Sequence, residues 1–219
     1  MSTVIAIDGP AGAGKSTVGR ALADRLGLGY LDTGAMYRAM TFAVQRRGVP
    51  EGDLAGVAET ASDVSIEIDD DRVVVDGVEA TAAIRGRDVT EGVSQVAANP
   101  AVRSVLVERQ RAWVDERGGG VVEGRDIGTV VFPDADLKLY VTASPRVRAE
   151  RRVRELGGDV ADVEASIILR DRIDSNRDHS PLAEADDATV VDTTGMSIEQ
   201  VVEHILRLLP EATDTGADR

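Results

Sequence analysis

The chain has 219 residues, which suits one α/β domain or one domain carrying small insertions, and 42% apolar residues are enough for a buried core. Aromatics make up only 3%, so that core has to come from Val, Leu, Ile and Ala, the composition of a parallel sheet covered on both faces. A net charge of −14 argues against broad binding to nucleic acid or an anionic membrane, and the absence of cysteine excludes disulfides, thiolate zinc sites and cysteine nucleophiles.

Val4 to Ile7 is a continuous apolar run, as expected of a buried central strand, and Asp8-Gly9-Pro10 then forces a turn. Met1 to Asp8 reads as a strand rather than a signal segment, and no apolar run reaches membrane-spanning length, so a cytoplasmic protein is expected. Ser16 to Leu26 is predicted as a helix with Val18, Leu22 and Leu26 on one face, stopped by Gly27 and Gly29. Tyr30-Leu31-Asp32 is a short edge-strand candidate. Thr33 is placed to cap a helix running to about Arg47, closed by Gly48 and Pro50.

The grammar then changes. Val64, Ile66 and Ile68 alternate with polar residues, Val73 to Val75 follow, and Asp76-Gly77 marks a tight turn before Val78. This is antiparallel hairpin pattern inside a βα-patterned chain, and it marks an insertion at residues 51–95 within a core of 1–50 and 96–210. Asn99-Pro100 starts a helix with Val102, Val105, Leu106 and Trp113 on its apolar face, ended by Gly118 to Gly120. Val121 to Glu123 and Leu137 to Val141 are further strands. Pro145 opens an arginine-rich helix that Gly157-Gly158 break, and a second helix runs from about Val163 to Asn176. A last strand (Thr189 to Asp192) and helix (Ile198 to Leu209) precede a polar tail, 211–219, expected to be disordered.

The most specific signal is Gly9-Pro10-Ala11-Gly12-Ala13-Gly14-Lys15-Ser16, which fits G-x-x-x-x-G-K-[ST] between an apolar strand and an amphipathic helix. Glycines let successive N–H groups curl round an anion, and the helix N-terminus adds its positive dipole end. Lys15 reaches the outer phosphates of a nucleoside triphosphate, Ser16 offers its hydroxyl to Mg2+, and Thr17 adds a phosphate contact. A switch GTPase is the first rival, since Asp192-Thr193-Thr194-Gly195 follows a strand. It comes too late in the chain, no Asn-Lys-x-Asp exists, and an ordinary strand-to-helix turn accounts for it.

Only Lys15 and Lys138 are lysines; every other basic side chain, His179 and His204 aside, is arginine. Composition bias explains that choice but not the positions. Arg38 sits in the first turns of the helix after Thr33-Gly34, and Arg125-Asp126 follow the strand ending at Glu123. Ligands of open α/β sheets lie beyond the carboxyl ends of the strands, so both segments face the crevice of the phosphate loop. Guanidinium forks there fit the phosphate of an acceptor. Arg170, Asp174 and Arg177 share one helix face, which reads equally as a solvated salt-bridged surface. Asp126 could serve as a Mg2+ carboxylate or a loop cap, and the residues do not distinguish Asp8, Asp32 and Glu123 as the carboxylate ordering the Mg2+ shell. The two histidines read as structural.

Taken in order, the phosphate loop through Thr17, Asp32-Thr33-Gly34-Ala35-Met36-Tyr37-Arg38, Ser94-Gln95-Val96-Ala97, Glu123 to Pro133 and Arg170 to Arg177 resemble the bacterial cytidylate kinases of the nucleoside monophosphate kinase family. The resemblance covers about residues 3 to 209. It implies a P-loop NTPase-type parallel sheet flanked by helices, with a small α+β NMP-binding insertion and a short lid at about 151–163. It implies transfer of the γ-phosphoryl of ATP to CMP or dCMP, with Mg2+, by a monomer that binds neither nucleic acid nor membrane. By resemblance, Thr33, Arg38 and Arg125 belong to the site of the CMP phosphate, and Ser94, Arg103 and Asp126 face cytosine with Arg177 close by. Arg170 and Asp174 then face the ribose, and Lys15, Arg125 and the lid residues Arg151 and Arg154 act on the moving phosphoryl group. The alternatives are a kinase for UMP or another small acceptor and a non-enzymatic nucleotide-binding module.

Overall fold

The computed structural model describes residues 3–69, 72–176 and 181–209. Its main sheet has the order β2 (Tyr30–Asp32), β6 (Gly119–Glu123), β1 (Thr3–Asp8), β7 (Leu137–Thr142), β8 (Thr189–Asp192), and every neighbouring pair is parallel. Successive side chains of a strand leave opposite faces, so β1 feeds two cores. Ile5 and Ile7 pack with Leu139, Val141 and helices α1 (Lys15–Leu26) and α8 (Ile198–Leu206). Ala6 packs on the other face with Leu31, Val122 and helices α2 (Thr33–Arg46) and α5 (Pro100–Arg117). Leu22 and Leu106 are completely buried, and truncating either to Ala costs about 2–5 kcal/mol.

The predicted hairpin is a second sheet in the order β3 (Ile66–Ile68), β4 (Val73–Val75), β5 (Val78–Glu79), all antiparallel. Asp76 (φ 47°) and Gly77 (φ 74°) turn it, the two positive φ values of a type I′ connection. The insertion has no separate core. Val57 of α3 (Leu54–Asp63), Val73, Val75 and Ile84 join the same apolar cluster as α2 and α5. At the surface, Arg47 pairs with Asp63 (2.5 Å) and Asp76 (2.9 Å) and ties the sheet to the end of α2.

Several boundaries differ from expectation. Asp32, not Thr33, caps α2: its Oδ1 accepts from Ala35 N at 2.9 Å, while the Thr33 hydroxyl turns inward and donates to the Glu123 carbonyl at 2.7 Å. Helix α7 (Val160–Ser175) starts before Val163 because Asp159 caps it, a signal that apolar periodicity passes over. It follows α6 (Pro145–Leu156), and α8 ends at Leu206 rather than Leu209. Asn99 caps α5 as expected and its amide also donates to Leu54 O. Arg177, His179 and the tail 211–219 lie outside the described residues.

Candidate active site

The loops that follow β1, β2, β6 and β8 open onto one cavity of about 960 Å3, completed by α4 (Arg87–Val96), α6 and α7. That is the upper end of the range of small-molecule sites. Among the described residues nine basic and five acidic side chains line it, although the chain as a whole carries −14. A cationic crevice in an acidic protein is the signature of a site for polyanions.

On one side lies the phosphate loop. Gly12 (φ 75°) and Gly14 (φ 94°) adopt left-handed backbone, and α1 starts without a side-chain cap, so its first amides are left for a ligand. A Cβ at Gly9 would sit 2.0 Å from Val141 O, so only glycine lets the chain cross β7 here. Lys15 is buried and its Nζ donates to the carbonyls of Gly9 (2.9 Å) and Pro10 (3.0 Å). Burial, reinforced by the Arg125 guanidinium, pushes its ammonium well below the usual lysine range against the pull of Glu123, Asp8 and Asp32.

On the other side are the predicted arginines. Arg125 donates from Nη1 to Gly9 O at 2.6 Å and from Nε to Asp174 at 3.0 Å. The Gly9 carbonyl therefore accepts from both Lys15 and Arg125. Arg38 pairs with Asp32 at 2.9 Å, and its buried Nε has no hydrogen-bond partner among the described residues. Arg170 Nε is likewise buried and unpartnered, and burial, with Arg125 beside it, pushes its guanidinium down to about 10. Arg170 is the guanidinium among these whose charge burial and Arg125 disfavour, and an anion beside it would offset that cost. Deeper in, Arg103 pairs with buried Asp126, with the Tyr37 ring 5.7 Å from its guanidinium carbon, and Ser94 lines the same space.

The three carboxylates that sequence could not separate have different surroundings. Both oxygens of Asp8 accept backbone amides, from Ile127 (2.8 Å) and Gly128 (2.7 Å), and burial raises its pKa to about 6. Asp32 caps α2 and holds Arg38. Glu123 accepts from Ser16 Oγ at 2.7 Å, while its buried Oε2 has no hydrogen-bond partner among the described residues. A hydroxyl and a half-satisfied carboxylate are a fitting donor pair for a hard cation that keeps most of its waters.

Above the loop, Arg151 donates to Ala13 O (3.2 Å) and to both oxygens of Thr193, whose hydroxyl also donates to Ala13 O at 3.1 Å. Arg154 stands exposed at the rim. Sequence reasoning missed Thr193, dismissed as part of a turn, although its place at the end of β8 put it on the ligand edge. It also missed Arg148, which is buried and bonds Ala11 O (3.0 Å) and Asp171 (2.6 Å). Nothing in an arginine-rich helix marks which arginine turns inward.

A family profile described as cytidylate kinase matches residues 5–211. The chain is 48% identical to the cytidylate kinase of Mycobacterium leprae (strain Br4923) over 95% of its own length and 96% of that protein's. It is 50% identical to the bifunctional pantoate ligase/cytidylate kinase of Synechococcus sp. (strain WH7803), covering 92% of itself but only 43% of that longer relative. Among solved structures, a gluconokinase from Sinorhizobium meliloti 1021 (TM-score 0.51, 15% identity, 95% of this chain and 94% of that one) has the same fold. So does a sugar kinase from Janibacter sp. HTCC2649 (TM-score 0.52, 18% identity, all of both chains). With a family profile over almost the whole chain and a single-function relative matched end to end, the chain belongs to the cytidylate kinase family.

Proposed function

We propose that this chain transfers the γ-phosphoryl group of ATP to CMP or dCMP, giving ADP and CDP or dCDP. The observation that carries the reading is the shared Gly9 carbonyl, which brings Lys15 of the donor loop and Arg125 of the acceptor side to one oxygen atom.

The acceptor needs no general base. A phosphate monoester is mostly dianionic at neutral pH, its second pKa being about 6, so the nucleophile arrives charged. The chemical difficulty is to bring two anions together and spread charge on the moving group. The phosphate loop, Gly9 to Thr17, wraps the ATP phosphates, and Lys15 leaves the Gly9 and Pro10 carbonyls to meet the outer ones. Arg38 and Arg125 hold the CMP phosphate beside it, with the Thr33 region as the floor. Arg170 and Asp174 take the ribose side. Arg151 and Arg154 cover the donor phosphates from the lid. Ser16 and Glu123 would hold Mg2+, which supplies charge neutralisation at the transferring phosphate.

Arg103, Asp126 and Ser94 read the base. Cytosine offers an amino donor beside a ring acceptor, matching a carboxylate next to a guanidinium. Uracil puts an acceptor where Asp126 expects a donor, at a cost of roughly 1–3 kcal/mol or more. A coupled assay of ADP release across a panel of monophosphates tests the reading: turnover is expected with CMP and dCMP and weakly with UMP. Preference for another acceptor would reassign the substrate, and ATP binding without turnover of any acceptor would leave a nucleotide-binding module.

A further inference from the structure

Asp8 does not line the cavity, yet it joins the two halves of the site. Asp8 pairs with Tyr140 of β7, while the ladder to β6 ends one residue earlier, where Ile7 faces Glu123 and Gly124 N donates to Ile7 O at 2.9 Å. Beyond that rung the two strands diverge, β1 into the phosphate loop and β6 into Gly124-Arg125-Asp126. The Asp8 carboxylate bridges the fork. Its oxygens take the successive amides of Ile127 and Gly128, which open a single π-helical turn, Ile127–Val131, immediately after Asp126. Single π turns of this kind tend to mark functional sites. The turn is clamped at its far end by Arg111, which donates to the carbonyls of Val130 and Val131, both at 3.0 Å. From behind, the Lys138 stem presses on Gly128, with Lys138 Nζ anchored on Asp187 at 2.7 Å. The Asp8 carboxylate and the neighbouring Gly9 carbonyl are thus direct links from β1 and the donor loop to the segment that carries Arg125 and Asp126.

We propose that Asp8 is a positioning residue that sets the spacing between the donor loop and the acceptor groups Arg125 and Asp126. The inference rests on the phosphotransfer reading above. Near-attack geometry tolerates little error, and a displacement of about 1 Å costs on the order of 100-fold in rate. Asp8 touches neither substrate, so its loss should act on the acceptor side and leave the donor loop's own anion binding in place.

The test is Asp8→Asn, in which one oxygen becomes an NH2 group facing an amide N–H. Expected are a rise of roughly 10-fold in KM for CMP, a fall of roughly 100-fold in kcat, and a CMP-to-UMP preference drawn toward unity. The MgATP dissociation constant should stay within about twofold. Hydrogen exchange gives a readout independent of activity: amides of Gly124 to Val131 should exchange faster while those of Ala11 to Val18 do not change. Parallel weakening of CMP and ATP, or unchanged exchange at Gly124 to Val131, would overturn the proposal. Gly128→Ala is the second variant, because its Cβ would sit 3.1 Å from Lys138 Cδ and 3.5 Å from Asp8 Oδ2, crowding the turn while leaving the Asp8 carboxylate chemically unchanged. It should give the same CMP-selective pattern at smaller amplitude, and it decides the matter alone if Asp8→Asn fails to fold. Wild-type turnover with CMP tests the phosphotransfer reading separately, and the exchange pattern tests this one.

Discussion

The donor loop and the acceptor side of the cavity both collect positive charge, but with different parts of the chain. The donor loop is one contiguous segment that offers its amides and a helix terminus to an anion, with Lys15 as its single cation. The acceptor side is assembled from Arg38 on α2, Arg103 on α5, Arg125 beyond β6 and Arg170 on α7, and the first three guanidiniums are aimed by a carboxylate or carbonyl from another element. A backbone cradle fails only if its glycines or its lysine change. A side-chain cradle fails by degrees, whenever any of its aiming partners moves.

The largest expected effect is on the donor side. Lys15→Ala should lower kcat by roughly 1,000-fold or more while CMP still binds, because the lysine meets the moving phosphoryl group and not the acceptor. Turnover near the wild-type rate would remove the phosphate loop from the chemistry.

At the junction of the two sides, Asp8 links stability to pH. Its pKa is 3.8 in the unfolded chain and about 6 in the fold, so between those values the folded state binds the extra proton. The contribution is therefore favourable below the unfolded pKa and is lost as pH rises through the folded one. Between about pH 4 and pH 7 the wild type should lose up to about 3 kcal/mol of unfolding free energy relative to Asp8→Asn. Denaturant titrations across that range check this, and a constant difference would show that burial does not hold the carboxyl up.

Asp126→Asn should change the acceptor side alone, narrowing the ratio of kcat/KM for CMP over UMP by roughly 10-fold with little effect on MgATP binding. An unchanged ratio would take Asp126 out of base reading. The smallest effect concerns the lid. Gly157 and Gly158 are exposed between α6 and α7, and saturating both nucleotides should slow proteolysis there by about threefold through a shift toward a closed state. Equal cleavage with and without them would argue that α6 and α7 do not close over the site.

Much of this contrast is legible in the sequence. The strands and helices outside the insertion, the hairpin at Val73 to Val78 and the Asn99-Pro100 helix start follow from local patterns of two to four residues, whereas helices α3 and α4 of the insertion were not read. The donor loop was legible for the same reason: nine consecutive residues carry it. Arg38 and Arg125 could be placed because each follows a strand end. Thr33 was misjudged because a hydroxyl before a helix is the commonest cap signal, and here Asp32 outcompetes it while Thr33 bonds Glu123 O. Arg148 and Thr193 were invisible as participants, since one hides among surface arginines and the other in an ordinary turn.

The sequence by itself determined a phosphate loop on a parallel sheet, because backbone geometry there depends on neighbouring residues alone. Only the tertiary structure decided how the three carboxylates divide their work. Asp8 holds an acceptor-loop turn, Asp32 aims Arg38 and Glu123 faces Ser16. An acid's role depends on which amides, hydroxyls and guanidiniums come within about 3 Å of it, and those partners arrive from strands and helices up to 120 residues away along the chain.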